Sequence, residues 1–433
     1  TLGSVDDGKS TLLARLLFDS GNLAKDILAA VEEQGEINFS KLAYLIDGLK
    51  EEREQGITID VAYRYFNTEK RRYIVADAPG HEQYTANAVT AASSAQIAVL
   101  LLDVEKGLTT QSKRHLFVTS LMRVPHLIVV VNKMDLVNYQ EEAFLRVVNE
   151  FKSFAKKLSL PEVRFIPASS LYGENIVKKS SVMEWYSGKS LLDTLDEIYI
   201  ASDINLVDFR YAVQYVIKSN NHKRLYAGKI LSGSIKKGDK IVVLPAKVES
   251  SVEEIIKRER DKVDIAFAPS VIKLQLKDEL DISRGALLCR PQNCAEVLDS
   301  LEAMLVWLNR ESELKKTKYY YFRCYSRETK CYIDNLYYQI DLSTLSRKET
   351  NTLAYNQIGR VSLQLYEPFP YDLFEHIKGT GSFILIDPDT SNTAACGVII
   401  RRDLLRKEGQ SLNVQRETLG VKLEERIKKI GYN

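Results

Sequence analysis

Excess charge of either sign is what this sequence most clearly lacks. Its 60 lysines and arginines nearly balance 58 aspartates and glutamates, which leaves a formal net charge of +2 over 433 residues. Binding to nucleic acid or to an anionic membrane typically uses a strongly basic surface, so the composition indicates neither partner. Apolar runs long enough to cross a bilayer, and a recognisable secretory signal, are also missing. We therefore expect a cytoplasmic globular protein without a membrane segment.

Cysteine is also scarce. An odd number of cysteines with no C-x-x-C pair favours free thiols in a reducing cytoplasm over a disulfide framework. Cys324 and Cys331 are the exception, because a predicted hairpin would let them face each other, and a metal site there stays a weak alternative. The five cysteines are Cys289, Cys294, Cys324, Cys331 and Cys396.

The chain opens with a complete phosphate-binding motif, G-x-x-x-x-G-K-[ST]. In this motif the backbone N–H groups surround a phosphate, Lys9 reaches the β- and γ-phosphates, and the Ser10 hydroxyl ligates Mg²⁺. Leucines at helical spacing follow over 12–17, so we expect the loop to begin a helix whose N-terminus also favours an anion. The candidate binding residues are Gly3, Ser4, Val5, Asp6, Asp7, Gly8, Lys9, Ser10 and Thr11.

Two features of this loop are unusual. Asp6 and Asp7 would repel a triphosphate, so we expect both carboxylates to point outward, with the alternative that one helps to hold a cation. A buried strand normally leads into such a loop, and only Thr1 and Leu2 precede it here. We therefore expect further residues ahead of Thr1 in the native chain.

Two later segments have the form of the switches of a GTPase. In Gly56-Ile57-Thr58-Ile59, Thr58 would close on Mg²⁺ and the γ-phosphate and release after hydrolysis. In Asp77-Ala78-Pro79-Gly80-His81, Asp77 ends a predicted strand and suits a water-mediated Mg²⁺ contact. Gly80 would offer its amide to the γ-phosphate, and His81 would position the attacking water. We expect structural roles for the remaining histidines, which are His115, His126, His222 and His376.

A base-reading motif, Asn132-Lys133-Met134-Asp135, follows a continuous apolar strand. The Asp135 carboxylate can accept from N1–H and the amine of guanine, while Asn132 would fix the loop and the Lys133 stem would lie over the base. Adenine lacks this donor pair, and a buried carboxylate without donors costs roughly 1–3 kcal/mol. Ser169-Ser170-Leu171 would supply backbone amides to the guanine oxygen. These motifs together indicate a GTPase.

The motifs resemble those of translation-factor GTPases, and three further stretches specify a family within that class. Asp7 stands where elongation factors carry histidine. The three stretches are similar to the GTPase (large) subunit of bacterial heterodimeric sulfate adenylyltransferase, and they are Glu51–Phe66, Pro79–Thr85 and Asp281–Gly285.

The predicted fold is an α/β P-loop GTPase domain, with a mostly parallel sheet and helices on both faces, followed by two antiparallel β-barrels. Continuous apolar strands predict the parallel sheet. Short alternating strands with regular turns predict the barrels, and the resemblance supports both. About three domains also suit this length. We expect the GTPase domain at 1–202, barrels at 208–295 and 300–402, and a charged helical tail or linker at 403–433.

The resemblance implies that the chain hydrolyses GTP to drive a small ATP-binding partner subunit, which makes adenylyl sulfate and pyrophosphate from ATP and sulfate in sulfate assimilation. It implies Mg²⁺ held through Ser10 and Thr58, with Asp77 behind a water, and Lys9, Thr58 and His81 as the catalytic residues. Val5 and Ile57 would form an apolar gate for His81. Some relatives fuse an adenylyl-sulfate kinase at the C-terminus. As a departure from the family pattern, Ser170 replaces an alanine.

Two other functions remain open at this point. One is an elongation-factor-type GTPase that delivers charged tRNA, although the near-neutral charge and Asp7 both weigh against it. The other is a regulatory switch without an enzymatic partner. Tight capture of aminoacyl-tRNA in the GTP state only would favour the elongation factor. The lack of a nucleotide-binding subunit on purification would favour the regulatory switch.

Overall fold

The computed structural model describes residues 1–23, 39, 42, 60–81, 84–200, 205–218, 223–258 and 261–402. The predicted switch residues Ile57 and Thr58 and the predicted tail over 403–433 lie outside these residues. The chain divides into two compact units, one formed by Thr1–Ile204 with Ile340–Lys348 and the other beginning at Asn205. In the described part of the chain, no helix has the length and apolarity that crossing a bilayer requires.

A three-stranded parallel sheet lies at the centre of the first unit, with its strands in the order β3 (Ile97–Asp103), β4 (His126–Asn132) and β5 (Val163–Pro167). Its strands β3 and β4 are buried along nearly their whole length, as expected for parallel strands covered on both faces. The described elements are α1 (Lys9–Asp19), β1 (Ala62–Asn67), β2 (Arg72–Asp77), α2 (Thr85–Ser94), β3 (Ile97–Asp103), α3 (Thr110–Leu121), β4 (His126–Asn132), a 3₁₀ turn (Met134–Val137), α4 (Glu141–Ala155), β5 (Val163–Pro167) and α5 (Leu191–Glu197).

The loops that follow these strands meet at one edge. Leu2 pairs in parallel with Leu100 of β3, and the Ala78 N–H donates to the Thr1 carbonyl at 3.2 Å, so the end of β2 lies beside the start of the chain. β1 and β2 form an antiparallel hairpin. Since the carboxyl ends of parallel strands are where α/β folds bind ligands, this edge is the expected place for the nucleotide.

The core of this unit lies between α1, α5 and the parallel strands. Leu12 and Leu16 of α1 pack in one buried cluster with Val130 of β4 and Leu195 of α5. The leucine spacing that predicted a helix after the phosphate-binding loop is therefore confirmed, because α1 turns these leucines onto the sheet.

The second unit contains two closed antiparallel barrels of six strands each, which confirms the predicted architecture. One barrel closes through pairing of β9 with β10, and its strands lie in the order β10 (Val248–Lys257), β13 (Ser270–Leu276), β7 (Arg224–Ser232), β6 (Arg210–Lys218), β14 (Leu287–Cys289) and β9 (Lys240–Leu244). The other closes through pairing of β16 with β17, and its strands lie in the order β16 (Tyr319–Cys324), β20 (Ser382–Ile386), β21 (Thr393–Arg402), β15 (Glu296–Trp307), β19 (Ile358–Tyr371) and β17 (Arg327–Ile340). Closure leaves no unpaired barrel edge.

The strands that build the first barrel, together with the short strands beside it, are β6 (Arg210–Lys218), β7 (Arg224–Ser232), β8 (Ser234–Lys236), β9 (Lys240–Leu244), β10 (Val248–Lys257), β11 (Asp261–Val263), β12 (Ile265–Phe267), β13 (Ser270–Leu276) and β14 (Leu287–Cys289). The later elements of the chain are β15 (Glu296–Trp307), β16 (Tyr319–Cys324), β17 (Arg327–Ile340), β18 (Arg347–Lys348), β19 (Ile358–Tyr371), α6 (Lys378–Gly381), β20 (Ser382–Ile386) and β21 (Thr393–Arg402).

The hairpin between β16 and β17 corrects the expectation for the cysteines. Its two-residue turn sets the register, which places Cys324 opposite Arg327 and Cys331 opposite Tyr320. Cys324 and Cys331 are therefore not cross-strand neighbours, although both are buried in the barrel core. All five cysteines are free thiols.

Candidate nucleotide-binding site

The phosphate-binding loop has the backbone that its glycines predict. Gly8 adopts φ 90° and caps α1, and Asp6 also has a positive φ of 66°. The Lys9 ammonium lies back across the loop and donates to the carbonyl oxygens of Gly3 at 3.0 Å and Ser4 at 2.8 Å. Val5, Ser10 and Thr11 are half-buried.

Asp6 and Asp7 lie in different surroundings, and the expectation that both point outward is wrong for Asp7. Asp6 is exposed. Asp7 is 1% exposed, and its Oδ2 accepts from the Ser4 N–H at 2.6 Å beneath the loop. Its Oδ1 is buried without a hydrogen-bond partner among the described residues. Burial raises the pKa of the Asp7 carboxyl group, against the opposing effects of the Ser4 N–H and Lys9. The inward position follows from this local hydrogen bond, which competes with solvation.

The segment Asp77-Ala78-Pro79-Gly80-His81 lies against the phosphate-binding loop. A Cβ atom on Gly80 would lie 2.5 Å from Lys9 Nζ and 2.9 Å from the Val5 nitrogen, so the backbone of this segment touches the loop directly. Asp77 is buried at the end of β2, where its Oδ1 accepts from the Thr1 hydroxyl at 2.5 Å. The ring of His81 is half-buried and lies 6.2 Å from that of Tyr84.

The base-reading residues come together at the ends of β4 and β5. Asn132 Oδ1 accepts from both the backbone N–H of Ser170, at 2.9 Å, and its hydroxyl, at 2.8 Å. The Ser169 hydroxyl donates to Asp135 Oδ1 at 2.5 Å and orients this carboxylate. Leu171 is exposed. The predicted members of this motif are thus adjacent in the fold.

Asn132 also joins this motif to the phosphate-binding loop. Its Nδ2 donates to the Asp7 carbonyl at 2.8 Å, while its Oδ1 accepts from Ser170. A single buried side chain therefore fixes the spacing between the two loops.

Asp103, at the end of β3, is a residue of the site that the motifs did not reveal. It is buried and pairs with Lys133 Nζ at 2.9 Å. Burial would raise the pKa of the Asp103 carboxyl group, but the Lys133 ammonium and the N–H of Glu105 outweigh it and hold this pKa below its usual value. Its position directly after an apolar strand was the signal that could have found it. The pair holds the Lys133 side chain along the site.

Helix α3 supplies further contacts to the phosphate-binding loop that the sequence did not indicate. The Ser4 hydroxyl lies 2.6 Å from the Thr109 hydroxyl and 3.3 Å from that of Ser112. The Gly3 N–H donates to His115 Nδ1 at 3.2 Å. His115 is fully buried, and this burial lowers the pKa of its imidazole to about 3. An isolated histidine in a helix gives no signal of such a contact, so sequence reasoning missed it.

An apolar cavity of about 450 Å³ lies elsewhere in the same unit. Its walls include Leu12, Phe66 and Ile97, and none of the described residues predicted for the site lines it. Apolar walls do not stabilise a triphosphate, so the polar loops at the sheet edge form the candidate nucleotide site.

Comparison with known families agrees with this geometry. Residues 1–201 match the Elongation factor Tu GTP binding domain, and residues 300–400 match the GTP-eEF1A C-terminal domain-like family. Sulfate adenylyltransferase subunit 1 of Bacteroides fragilis is 45% identical over 407 residues, which cover 93% of this chain and 85% of that protein. The chain belongs to the sulfate adenylyltransferase subunit 1 family. The resemblance inferred from the motifs is confirmed, and the first unit is a translation-factor-class GTP-binding domain.

Longer relatives match as well. The Bifunctional enzyme CysN/CysC of Rhodopirellula baltica is 45% identical over 410 residues, and that of Mycobacterium tuberculosis (strain ATCC 25618 / H37Rv) is 44% identical over 409 residues. Both matches cover 93% of this chain, and they span 63% and 66% of the respective relatives.

Proposed function

We propose that this chain is the GTP-hydrolysing subunit of a sulfate adenylyltransferase, and that it couples GTP hydrolysis to the formation of adenylyl sulfate and pyrophosphate from ATP and sulfate by a partner subunit. The extent of the similarity carries this proposal, since the subunit 1 relative of Bacteroides fragilis matches over 93% of the chain. The match therefore extends through both barrels rather than ending with the GTP-binding domain.

Guanine recognition would rest on the residues around Asp135. The carboxylate, already oriented by Ser169, would accept from N1–H and the amine of guanine. Backbone amides over Ser169-Ser170-Leu171 would donate to the base oxygen, and the Lys133 stem, held by Asp103, would cover the ring. Adenine would leave the carboxylate without donors, which disfavours it.

The described oxygen donors fit Mg²⁺, a hard cation that prefers oxygen ligands and keeps several waters. Ser10 presents a half-buried hydroxyl in the first turn of α1, and Asp77 a buried carboxylate at the end of β2. We assign these two residues to the ion, together with Thr58. When bound, the ion would neutralise charge on the β- and γ-phosphate oxygens.

For hydrolysis, this chain's residues would position and polarise rather than react. Lys9 would exchange its carbonyl contacts for phosphate oxygens, and the Gly80 N–H would donate to the γ-phosphate. His81 would orient the water for in-line attack, past an apolar gate formed by Val5 and Ile57. The contact between Gly80 and the loop supports this arrangement.

The proposed partner is a small ATP-binding adenylyltransferase subunit. Sulfate is a weak nucleophile and the anhydride bond of adenylyl sulfate is high in energy, so an external source of free energy is chemically reasonable. GTP hydrolysis can supply this free energy if binding of the partner subunit controls when the chain hydrolyses GTP.

The decisive experiment measures adenylyl sulfate synthesis by this chain co-expressed with the ATP-binding subunit, with and without GTP. We expect GTP to stimulate synthesis. The Asp135→Asn variant should lose stimulation by GTP and gain it from xanthosine triphosphate, because an amide matches the altered base edge. Adenylyl sulfate synthesis at a rate that neither GTP nor xanthosine triphosphate changes would contradict the proposal. GTP-dependent capture of aminoacyl-tRNA would favour an elongation factor instead.

A further inference from the structure

Asp7 carries a carboxyl group that is buried inside the phosphate-binding loop. The residue is 1% exposed, and its Oδ2 accepts from the Ser4 N–H at 2.6 Å. Its Oδ1 is also buried and has no hydrogen-bond partner among the described residues. The loop thus keeps an acidic group at a position where burial costs free energy.

The contacts of this carboxyl group favour its charged form, against the opposing effect of burial. The bond of 2.6 Å to the Ser4 N–H is short for an N–H donor, as expected when the acceptor is ionised. The positive charge of Lys9 acts in the same direction, while its ammonium donates to the carbonyl oxygens of Gly3 and Ser4. A proton on Oδ1 would find no acceptor among the described residues. Asp7 therefore places a negative charge within the loop.

This charge lies close to the phosphates of the proposed function. Gly8, the next residue, caps α1, and a phosphate would lie on the N–H groups at the N-terminus of this helix. Lys9 is two residues from Asp7, so their Cα atoms are at most about 7.6 Å apart. A phosphate oxygen hydrogen-bonded to the Lys9 nitrogen is then about 10 Å or less from the Asp7 Cα.

Burial makes the repulsion over this distance strong. Water and salt weaken the field of an exposed charge such as that of Asp6, but they screen a buried charge much less. The Asp7 carboxylate and a phosphate bound in the same loop therefore interact through protein rather than through solvent.

We propose that the Asp7 carboxylate weakens the binding of guanine nucleotides to the phosphate-binding loop, so that GDP leaves the site quickly after hydrolysis. This inference rests on the proposed function. Its sign separates it from a structural role, because a residue that only held the loop in shape would strengthen nucleotide binding.

The test measures the rate at which GDP with a fluorescent label on its ribose dissociates from the full chain, by stopped flow with excess unlabelled GDP and Mg²⁺. Asp7→Asn keeps an oxygen that can accept from the Ser4 N–H but removes the charge. Dissociation from this variant should be about tenfold slower than from the unsubstituted chain, and its affinity for GDP in titration calorimetry about tenfold higher. The tenfold ratio should persist from about 0.05 to 0.5 M KCl, since salt screens a buried charge poorly.

Glu105→Gln is the matched control. The Glu105 side chain is exposed, and its backbone N–H, rather than its carboxylate, contacts Asp103. This variant removes a negative charge that water already screens, so GDP dissociation should change less than about twofold. If Asp7→Asn folds poorly, Asp7→Ser offers a neutral hydroxyl to the Ser4 N–H and should also slow dissociation.

Faster or unchanged dissociation of GDP from the Asp7 variants would overturn the inference and leave the proposed function intact, as would an equal effect of Glu105→Gln. Failure of the unsubstituted protein to bind GDP or a GTP analogue would instead refute the proposed function.

Discussion

Ser170 shows how one hydroxyl contributes to the base-reading loop. The resemblance places an alanine at this position, and the change to serine would matter little if the backbone N–H alone made the proposed contact with guanine. In the structure the hydroxyl is buried and donates to Asn132 Oδ1 at 2.8 Å, in addition to the backbone bond. Asn132 in turn holds the Asp7 carbonyl, so the hydroxyl supports the spacing between two loops.

Replacing Ser170 by alanine should weaken binding of GDP and of a GTP analogue to the same extent, by roughly 2- to 10-fold. A net hydrogen bond contributes about 0.5–1.5 kcal/mol, and Asn132 retains its backbone partner. Titration calorimetry measures the effect. Ser180→Ala is the control, since that buried hydroxyl accepts from Val182 within the same unit and touches neither loop. Unchanged affinity in Ser170→Ala would show that the backbone bond suffices.

The neutral, buried state of His115 predicts a dependence of stability on pH. Its pKa is lowered from 6.5 to about 3, so the unfolded chain takes up a proton that the folded chain does not. A depressed pKa contributes stability that is present above pH 6.5 and is lost as the pH falls. The stability advantage of the unsubstituted chain over His115→Gln should therefore shrink by about 1.4 kcal/mol per pH unit below 6.5. Urea unfolding from pH 7.5 to 4.5 measures this change, and a constant difference would mean that the imidazole takes up its proton at the same pH in the folded chain as in the unfolded chain.

At the scale of elements, the site depends on how the phosphate-binding loop meets β4. Gly8 is the closest point of approach, because a Cβ atom there would lie 2.5 Å from Asn132 Nδ2, and its φ of 90° is a conformation that other residues adopt only with strain. Gly8 is thus needed for two reasons. Its backbone has a positive φ, and the Asn132 amide that joins the two loops leaves no room for a side chain.

Gly8→Ala should reduce nucleotide affinity about 100-fold. Backbone strain of about 1–3 kcal/mol and the displaced Asn132 amide act together. Gly21→Ala is a matched control, since Gly21 also has a positive φ of 69° but nothing lies within 4 Å of its Cβ position. It should lower stability while leaving nucleotide affinity nearly unchanged. Equal losses of affinity in the two variants would mean that backbone strain, and not the clash with Asn132, is responsible.

At the scale of the whole molecule, the two barrels of the second unit are joined by a buried ion pair. Arg210 of β6 and Asp372, which follows β19, form two hydrogen bonds of 2.9 Å each, and the Thr380 hydroxyl donates to the same carboxylate at 2.7 Å. Arg210 is 2% exposed. Two charged side chains from distant parts of the chain thus neutralise each other at a buried position where water solvates neither of them.

Asp372→Ala should destabilise the protein by about 3–5 kcal/mol, because it leaves the guanidinium of Arg210 buried without its partner. The double change Arg210→Met with Asp372→Leu should recover much of this loss, since no uncompensated charge remains. Denaturant unfolding measures both. Lys223→Ala, which removes one partner of the exposed pair with Glu253, should cost about 1 kcal/mol or less. A double variant as unstable as Asp372→Ala would show that the ion pair itself is essential.

The residue pattern within short segments of the sequence was enough to predict the helix after the phosphate-binding loop, the apolar parallel strands, the two barrels and the family. Side-chain spacing encodes elements, and a motif such as Asn132-Lys133-Met134-Asp135 requires only a few consecutive residues. The roles assigned to Lys9, Thr58, Asp77 and His81 stay predictions until the proposed experiments are made.

Packing alone decided the remaining features. Asp7 turns inward because the Ser4 N–H is available beneath the loop. Cys324 does not lie opposite Cys331, because a two-residue turn sets the register of the hairpin. His115 and Asp103 join the site because α3 and β3 lie beside the phosphate-binding loop and β4. The contacts of His115 and Asp103 join segments far apart in the chain, and residue spacing carries no information about which buried donor meets which acceptor.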